Sequence, residues 1–122
     1  MIKNNIDIFQ NIDTEEKAYW LGFLYADGCV HSQENKIELG LAEKDYEHLN
    51  KFRNFLQIKN KIAYRDSTKS YRLSFRSKKS KQDLIALGYI PCKSLLLHFP
   101  NSQQVPDYLI KHFIRGYFDG DG

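Results

Sequence analysis

Asp27 and Asp121 are the residues of this 122-residue chain whose type and setting most invite chemistry. Each sits in the same pattern: a glycine, three residues, a small residue, then Asp-Gly. Tyr19 to Gly28 aligns with Phe113 to Gly122 at a constant offset of 94, with Gly, Asp and Gly identical. Gly22 and Ala26 share one helix face, as do Gly116 and Gly120, and small residues at that spacing let two helix backbones approach closely. A glycine inside a helix costs about 1 kcal/mol relative to alanine, and close packing offsets that cost. Helices paired along these faces bring their C-terminal ends together, where the last carbonyls have no intrahelical partner. Two carboxylates beside two negative dipole ends suit a hard divalent cation. Asp119-Gly120-Asp121-Gly122 also reads as the opening of an EF-hand Ca²⁺ loop. The first copy lacks the matching Asn or Asp positions, and a closing Glu would have to lie beyond Gly122.

A second chemistry lies in the charge distribution. The formal charge is only +3. Between Lys59 and Lys81, however, stand nine basic residues (Lys59, Lys61, Arg65, Lys69, Arg72, Arg76, Lys78, Lys79 and Lys81), with Asp66 alone opposing them. From Asp7 to Glu47 the balance reverses, to ten acidic residues against three basic ones. A local excess of that size attracts a polyanion even in a nearly neutral chain, although a solvated basic face is the alternative.

The elements that must position these groups follow from periodicity. Asp13 to Glu16 reads as a helix start, with Asp13 as cap and Glu16 three residues on. The helix runs to about Ala26 and stops at Gly28. Val30 to Gln33 and Lys36 to Leu41 read as strands joined near Glu34-Asn35. Lys44 to Leu56 is helical, with Tyr46, Leu49, Phe52 and Leu56 on one stripe. Lys61 to Arg65 and Tyr71 to Arg76 form a second hairpin. Ser80 caps a short helix that Gly88 ends. After a looser stretch from Tyr89 to Gln104, Pro106 opens a last helix reaching about Gly120. Four short strands with helices between them predict an α+β domain, an antiparallel sheet covered by helices on one face. Tyr71, Leu73 and Phe75 then belong to the core. Lys36, Arg65, Arg72 and Arg76 project from the uncovered face, a surface suited to base edges in the major groove.

Composition narrows the class further. Apolar residues make up 42% and aromatics 14%, enough for a core, which excludes disorder throughout. The longest apolar run, Ala18 to Ala26, is nine residues, too short to span a membrane. The N-terminus shows no apolar signal core, so a cytoplasmic location is expected. Cys29 and Cys92 form neither a disulfide framework nor a zinc set and read as reduced thiols.

Trp20 to Gly28 and Ile114 to Gly122 resemble the two motifs of the LAGLIDADG homing endonucleases, and the helix-strand-strand-helix-strand-strand-helix order between them is similar to that family's repeat. The resemblance implies one full repeat over residues 1–103 and the first helix and motif of a truncated second repeat over 104–122. It implies a saddle of strands lying on double-stranded DNA, with Gln33, Lys36, Glu38, Lys61, Arg65, Lys69, Arg72, Ser74 and Arg76 as contacts. Gly22, Ala26, Gly116 and Gly120 would form the helix interface. Asp27 and Asp121, with Gly28 and Gly122 beside them, would hold Mg²⁺ or Mn²⁺ for phosphodiester hydrolysis. Lys93 would steady phosphate charge, its alternative being an ordinary surface lysine. Tyr25 departs from the acidic residue at the motif's sixth position, which Asp119 keeps. His31, just beyond the first motif, could contact DNA, though a half-exposed histidine is the commoner case. The partner would be a second repeat or a second copy of the chain, and this chain alone is expected to cut poorly. A non-cutting nucleic-acid binder of the same fold, an intron RNA maturase or a transcription regulator, is the competing class. Members of such a family are mobile elements encoded by an intron, an intein or a free gene.

Overall fold

The computed structural model describes residues 8–31, 33–87, 101 and 104–121, the last without its side chain. In chain order the elements are α1 (Glu15–Asp27), β1 (Gly28–Val30), β2 (Lys36–Ala42), α2 (Tyr46–Leu56), β3 (Ala63–Arg65), β4 (Ser70–Arg76), α3 (Lys78–Ala86) and α4 (Ile110–Asp121). Short 3-10 turns precede α2 and α4 and join β3 to β4.

Two helix starts differ from the sequence reading by a few residues. Thr14, not Asp13, caps α1: its hydroxyl accepts from the Lys17 N–H at 3.2 Å. Asp13 instead takes the Lys17 ammonium at 2.8 Å. Likewise Ser77 caps α3, accepting from the Ser80 N–H at 3.0 Å. In both places several capping-type residues lie close together, and backbone geometry selects among them. The end of α2 is marked by Gln57 in the left-handed region, at φ 57°, with its N–H turned back to Arg53 and Asn54.

The strands form one antiparallel sheet in the order β1-β2-β4-β3. Gly28 is extended, so pairing starts as soon as α1 ends, with Gly28 opposite Leu39. β1 is therefore earlier than Val30 to Gln33, and Gln33 lies beyond it. Lys61 precedes β3 rather than opening it. Across the central pair Glu38 faces Ser74 and Leu39 faces Leu73. Alternation then sorts the side chains: Ile37, Leu39, Leu41, Leu73 and Phe75 are buried toward the helices. Lys36, Glu38, Arg72, Ser74 and Arg76 occupy the opposite, open face. Tyr71, expected in the core, is half-buried between the rings of Tyr46 and Tyr64, at 4.8 and 4.9 Å.

The fold is thus α+β, a four-stranded antiparallel sheet with helices on one side. At its centre α1 is buried continuously from Ala18 to Tyr25. Trp20 packs on Phe52 of α2, and Tyr25 packs edge-on to Phe113 of α4. Cys29, on β1, is disulfide-bonded, contrary to the expectation of a reduced thiol. Cys92 lies outside the described residues. Among the described residues no helix is long and apolar enough to cross a membrane.

Candidate nucleic-acid interface and helix-end cleft

The contact between α1 and α4 is made backbone to backbone. A Cβ on Gly22 would collide with the Phe113 carbonyl, and one on Gly116 with the Tyr19 carbonyl. On Gly120 it would stand 2.9 Å from the Ala26 Cβ and 3.0 Å from the Phe23 oxygen. Gly22, Ala26, Gly116 and Gly120 therefore all lie in this contact.

At the end of that contact stands Asp27, exposed on the last residue of α1. It lines a cleft of about 470 Å³ together with Asp45, His48, Asp119 and Gly120. It also lines a second cleft, of about 370 Å³, with Gly40, Ser70 and Arg72. One carboxylate thus borders both the helix ends and the strands. Asp121 ends α4; its side chain, Gly122 and Lys93 lie outside the described residues. Gly28 turns its N–H back to the Leu24 carbonyl. Among the described residues no group of three or more His, Cys, Asp or Glu is arranged to hold a metal. The carboxylates lining the first cleft, Asp27, Asp45 and Asp119, are hard oxygen donors of the kind Mg²⁺ takes, and Lys44 and His48 line it beside them. That ion takes only one or two protein carboxylates and completes its shell with water and substrate phosphate.

A polar cluster that sequence reasoning missed ties three helices together beside the first cleft. The Tyr19 hydroxyl donates to Asp119 Oδ2 at 2.7 Å, and its oxygen lies 2.8 Å from His48 Nε2. A carboxylate only accepts, so the tyrosine proton goes to Asp119 and His48 supplies an N–H to the phenol oxygen. Burial, then the charge of Lys51, holds the His48 imidazole below its ordinary range. Burial, then the bond to Asp119, drives the Tyr19 phenol well above its own. Arg115 lies 4.4 Å above the Tyr19 ring. Asp119, the acidic residue at the sixth position of the second motif, is thus held by α1, as is His112, whose Nε2 lies 2.7 Å from Glu15 Oε1. Its repeat mate Tyr25 bonds instead to the Leu87 carbonyl, at 2.7 Å.

The open face is less nakedly basic than the sequence suggests. Glu38, its side chain 14% exposed, lies 2.7 Å from Arg72 Nη1, 3.2 Å from His31 Nε2 and 3.9 Å from Lys36 Nζ. Burial alone would push the Glu38 carboxyl up, but the hydrogen bonds from Arg72 and His31 outweigh it and hold the group below its ordinary range. Arg76 pairs with Glu34 at 3.0 Å, and Lys69 with Asp66 at 3.1 Å. Glu34 and Glu38 come from the acidic half of the chain, so a window drawn along the sequence does not count them against these arginines. His31 joins the two acids: its Nδ1 is 3.9 Å from Glu34. Ser74 is half-buried beside Glu38, while Gln33, Lys61 and Arg65 are exposed near the sheet edges. Arg72 and Glu38, both expected to reach DNA, first reach each other.

A search of the curated proteins finds no match to this chain. Comparison with protein families matches residues 14–86 to the LAGLIDADG-like domain, a stretch running from the α1 cap to the end of α3. With the motif helix, the strand order and the open sheet all inside that span, the chain belongs to the family of LAGLIDADG-like domains, of nucleic-acid-binding and nuclease character.

Proposed function

We propose that the chain lays its open sheet on duplex DNA and contributes one half of a divalent-metal-assisted, site-specific phosphodiester hydrolysis. The observation that carries this reading is the position of Asp27, on the wall between the helix-end cleft and the strand-face cleft. A backbone lying along that cleft at Thr68 and Ser70 would pass the carboxylate. Asp27 and Asp121 are the residues that would hold Mg²⁺ or Mn²⁺, which when bound supplies Lewis acidity and a charge clamp on phosphate. The chain's own groups do the rest. Lys36, Arg65 and Arg76 bind and register the backbone, and residues at the strand centre read base edges. Lys93 stands in this reading as a further phosphate-charge helper. The glycine contact fixes the spacing of the two motif ends. A second half of the site would cover α4 and the 3-10 turn before it, where Tyr108, Ile114 and Phe118 are exposed. The repeat positions of the last two, Trp20 and Leu24, are buried. That half is a second repeat or a second copy of the chain.

The test separates binding from hydrolysis. In Mg²⁺, the wild-type chain should bind long duplex DNA and nick it weakly. Asp27→Asn should keep its affinity within about twofold and lose the nicking, since a metal ligand goes and the sheet stays. Undiminished strand cleavage by Asp27→Asn would overturn the catalytic assignment.

A further inference from the structure

The centre of the open face holds a chain of polar contacts, Arg76–Glu34–His31–Glu38–Arg72, with Lys36 beside Glu38. Its innermost member, Glu38, is its most buried carboxylate, while Arg72 and Lys36 remain 34% and 28% exposed. Arg72 gives one terminal nitrogen to Glu38, and its Nε is buried without a hydrogen-bond partner among the described residues. The guanidinium is thus held by one edge, its position set before any ligand arrives. A fixed negative charge 2.7 Å away also repels phosphate from this spot. An arginine so placed is poorly suited to the backbone and well suited to a guanine edge, which offers neutral acceptors.

We propose that Glu38 is a positioning residue for sequence discrimination: it orients Arg72 toward base edges and turns phosphate away from the middle of the sheet. This rests on the nucleic-acid reading above and names what its central residues select. Lys36 and Arg76, nearer the sheet end, take the backbone. Glu38 thereby lowers affinity for DNA in general and raises the preference for one sequence.

The experiment uses the whole chain and two duplexes: one of random sequence, and one the wild type selects from a random library. Glu38→Gln should bind the random duplex about eightfold more tightly at 0.1 M salt, the factor carried by one more released counterion. Its log–log salt slope should steepen by about one. Its preference for the selected duplex should fall at least about fivefold. In an Arg72→Ala background the same substitution should leave that preference unchanged, which a purely structural or diffuse charge effect would not produce. Glu38→Asp keeps the charge but draws it back from Arg72. It should lose preference at an unaltered salt slope, and it carries the test if Glu38→Gln fails to fold. Random-duplex affinity or preference at the wild-type value in Glu38→Gln, or full preference in Glu38→Asp, overturns the proposal. A wild type that binds neither duplex overturns the nucleic-acid reading itself.

Discussion

At the scale of single residues, the arginines of the open face differ in what they hold. Arg72 answers a carboxylate that is 14% exposed, whereas Arg76 and Glu34 are both largely in water, at 64% and 47%. Arg72→Ala should therefore cost about 1 kcal/mol or more of stability, because Glu38 loses a charge-assisted partner. Arg76→Ala should stay within about 0.5 kcal/mol, as exposed pairs contribute little. Urea unfolding of the two variants checks the contrast, and equal losses would refute it. Acid sensitivity follows from the same pair. The Glu38 carboxyl titrates lower in the folded chain than in the unfolded one. Its contribution is thus full above the ordinary glutamate range and is lost as pH falls through the lowered native value. Stability measured from pH 6 downward should decline in the wild type, and Glu38→Gln should flatten its share of that decline. A slope unchanged in the variant would show that other carboxylates carry the acid response. These pairings were not legible in the sequence. Arg72 and Glu38 are separated by α2 and β3, and only the β2–β4 register brings them together. The alternation that placed both on one face was legible, because a period of two fixes the face without fixing the neighbour.

At the scale of elements, two of the devices that bind α1 to α4 differ in legibility. The glycine contact was readable, since Gly22 and Gly116 stand in matching positions and glycine inside a helix calls for a packing reason. Gly22→Ala or Gly116→Ala should destabilise the fold by about 1–3 kcal/mol or more, because a backbone carbonyl and not a flexible side chain occupies the space. Thermal unfolding checks this, and a neutral Gly116→Ala would mean that the helices slide apart without loss. The second device, the Tyr19–His48–Asp119 cluster, joins three helices and has no sequence signature. Tyrosine and histidine on apolar stripes look like core, and Asp119 looks like a variable motif position. Tyr19→Phe keeps the ring contacts with Trp20 and His48 and removes the hydroxyl. It should cost about 1 kcal/mol, the usual net worth of a buried hydrogen bond. Strand ends were the least legible feature. β1 starts at Gly28 because α1 stops in an extended residue already in register with Leu39, and no local residue preference announces a register.

For the molecule as a whole, one side of α4 has no covering layer among the described residues. Ile114 and Phe118, one turn apart on α4, are 39% and 65% exposed. Clustered apolar exposure of this kind marks an association surface. The chain should accordingly self-associate at high concentration, and Phe118→Glu should shift it toward the monomer. Sedimentation equilibrium reads this directly, and a wild type that stays monomeric would refute it. The same asymmetry bears on how the two motifs change over evolutionary time. Leu21, fully buried, has Arg115 as its repeat mate, and Leu24 has the exposed Phe118. Two segments with one ancestral pattern therefore live in different solvents. The first tolerates almost no polar substitution from Ala18 to Tyr25. The second accepts charge where its outer side meets water and holds inward the glycine ridge, the buried Phe113 and the bonded Asp119. Differences between the two copies, such as Leu21 against Arg115, then follow the difference in exposure.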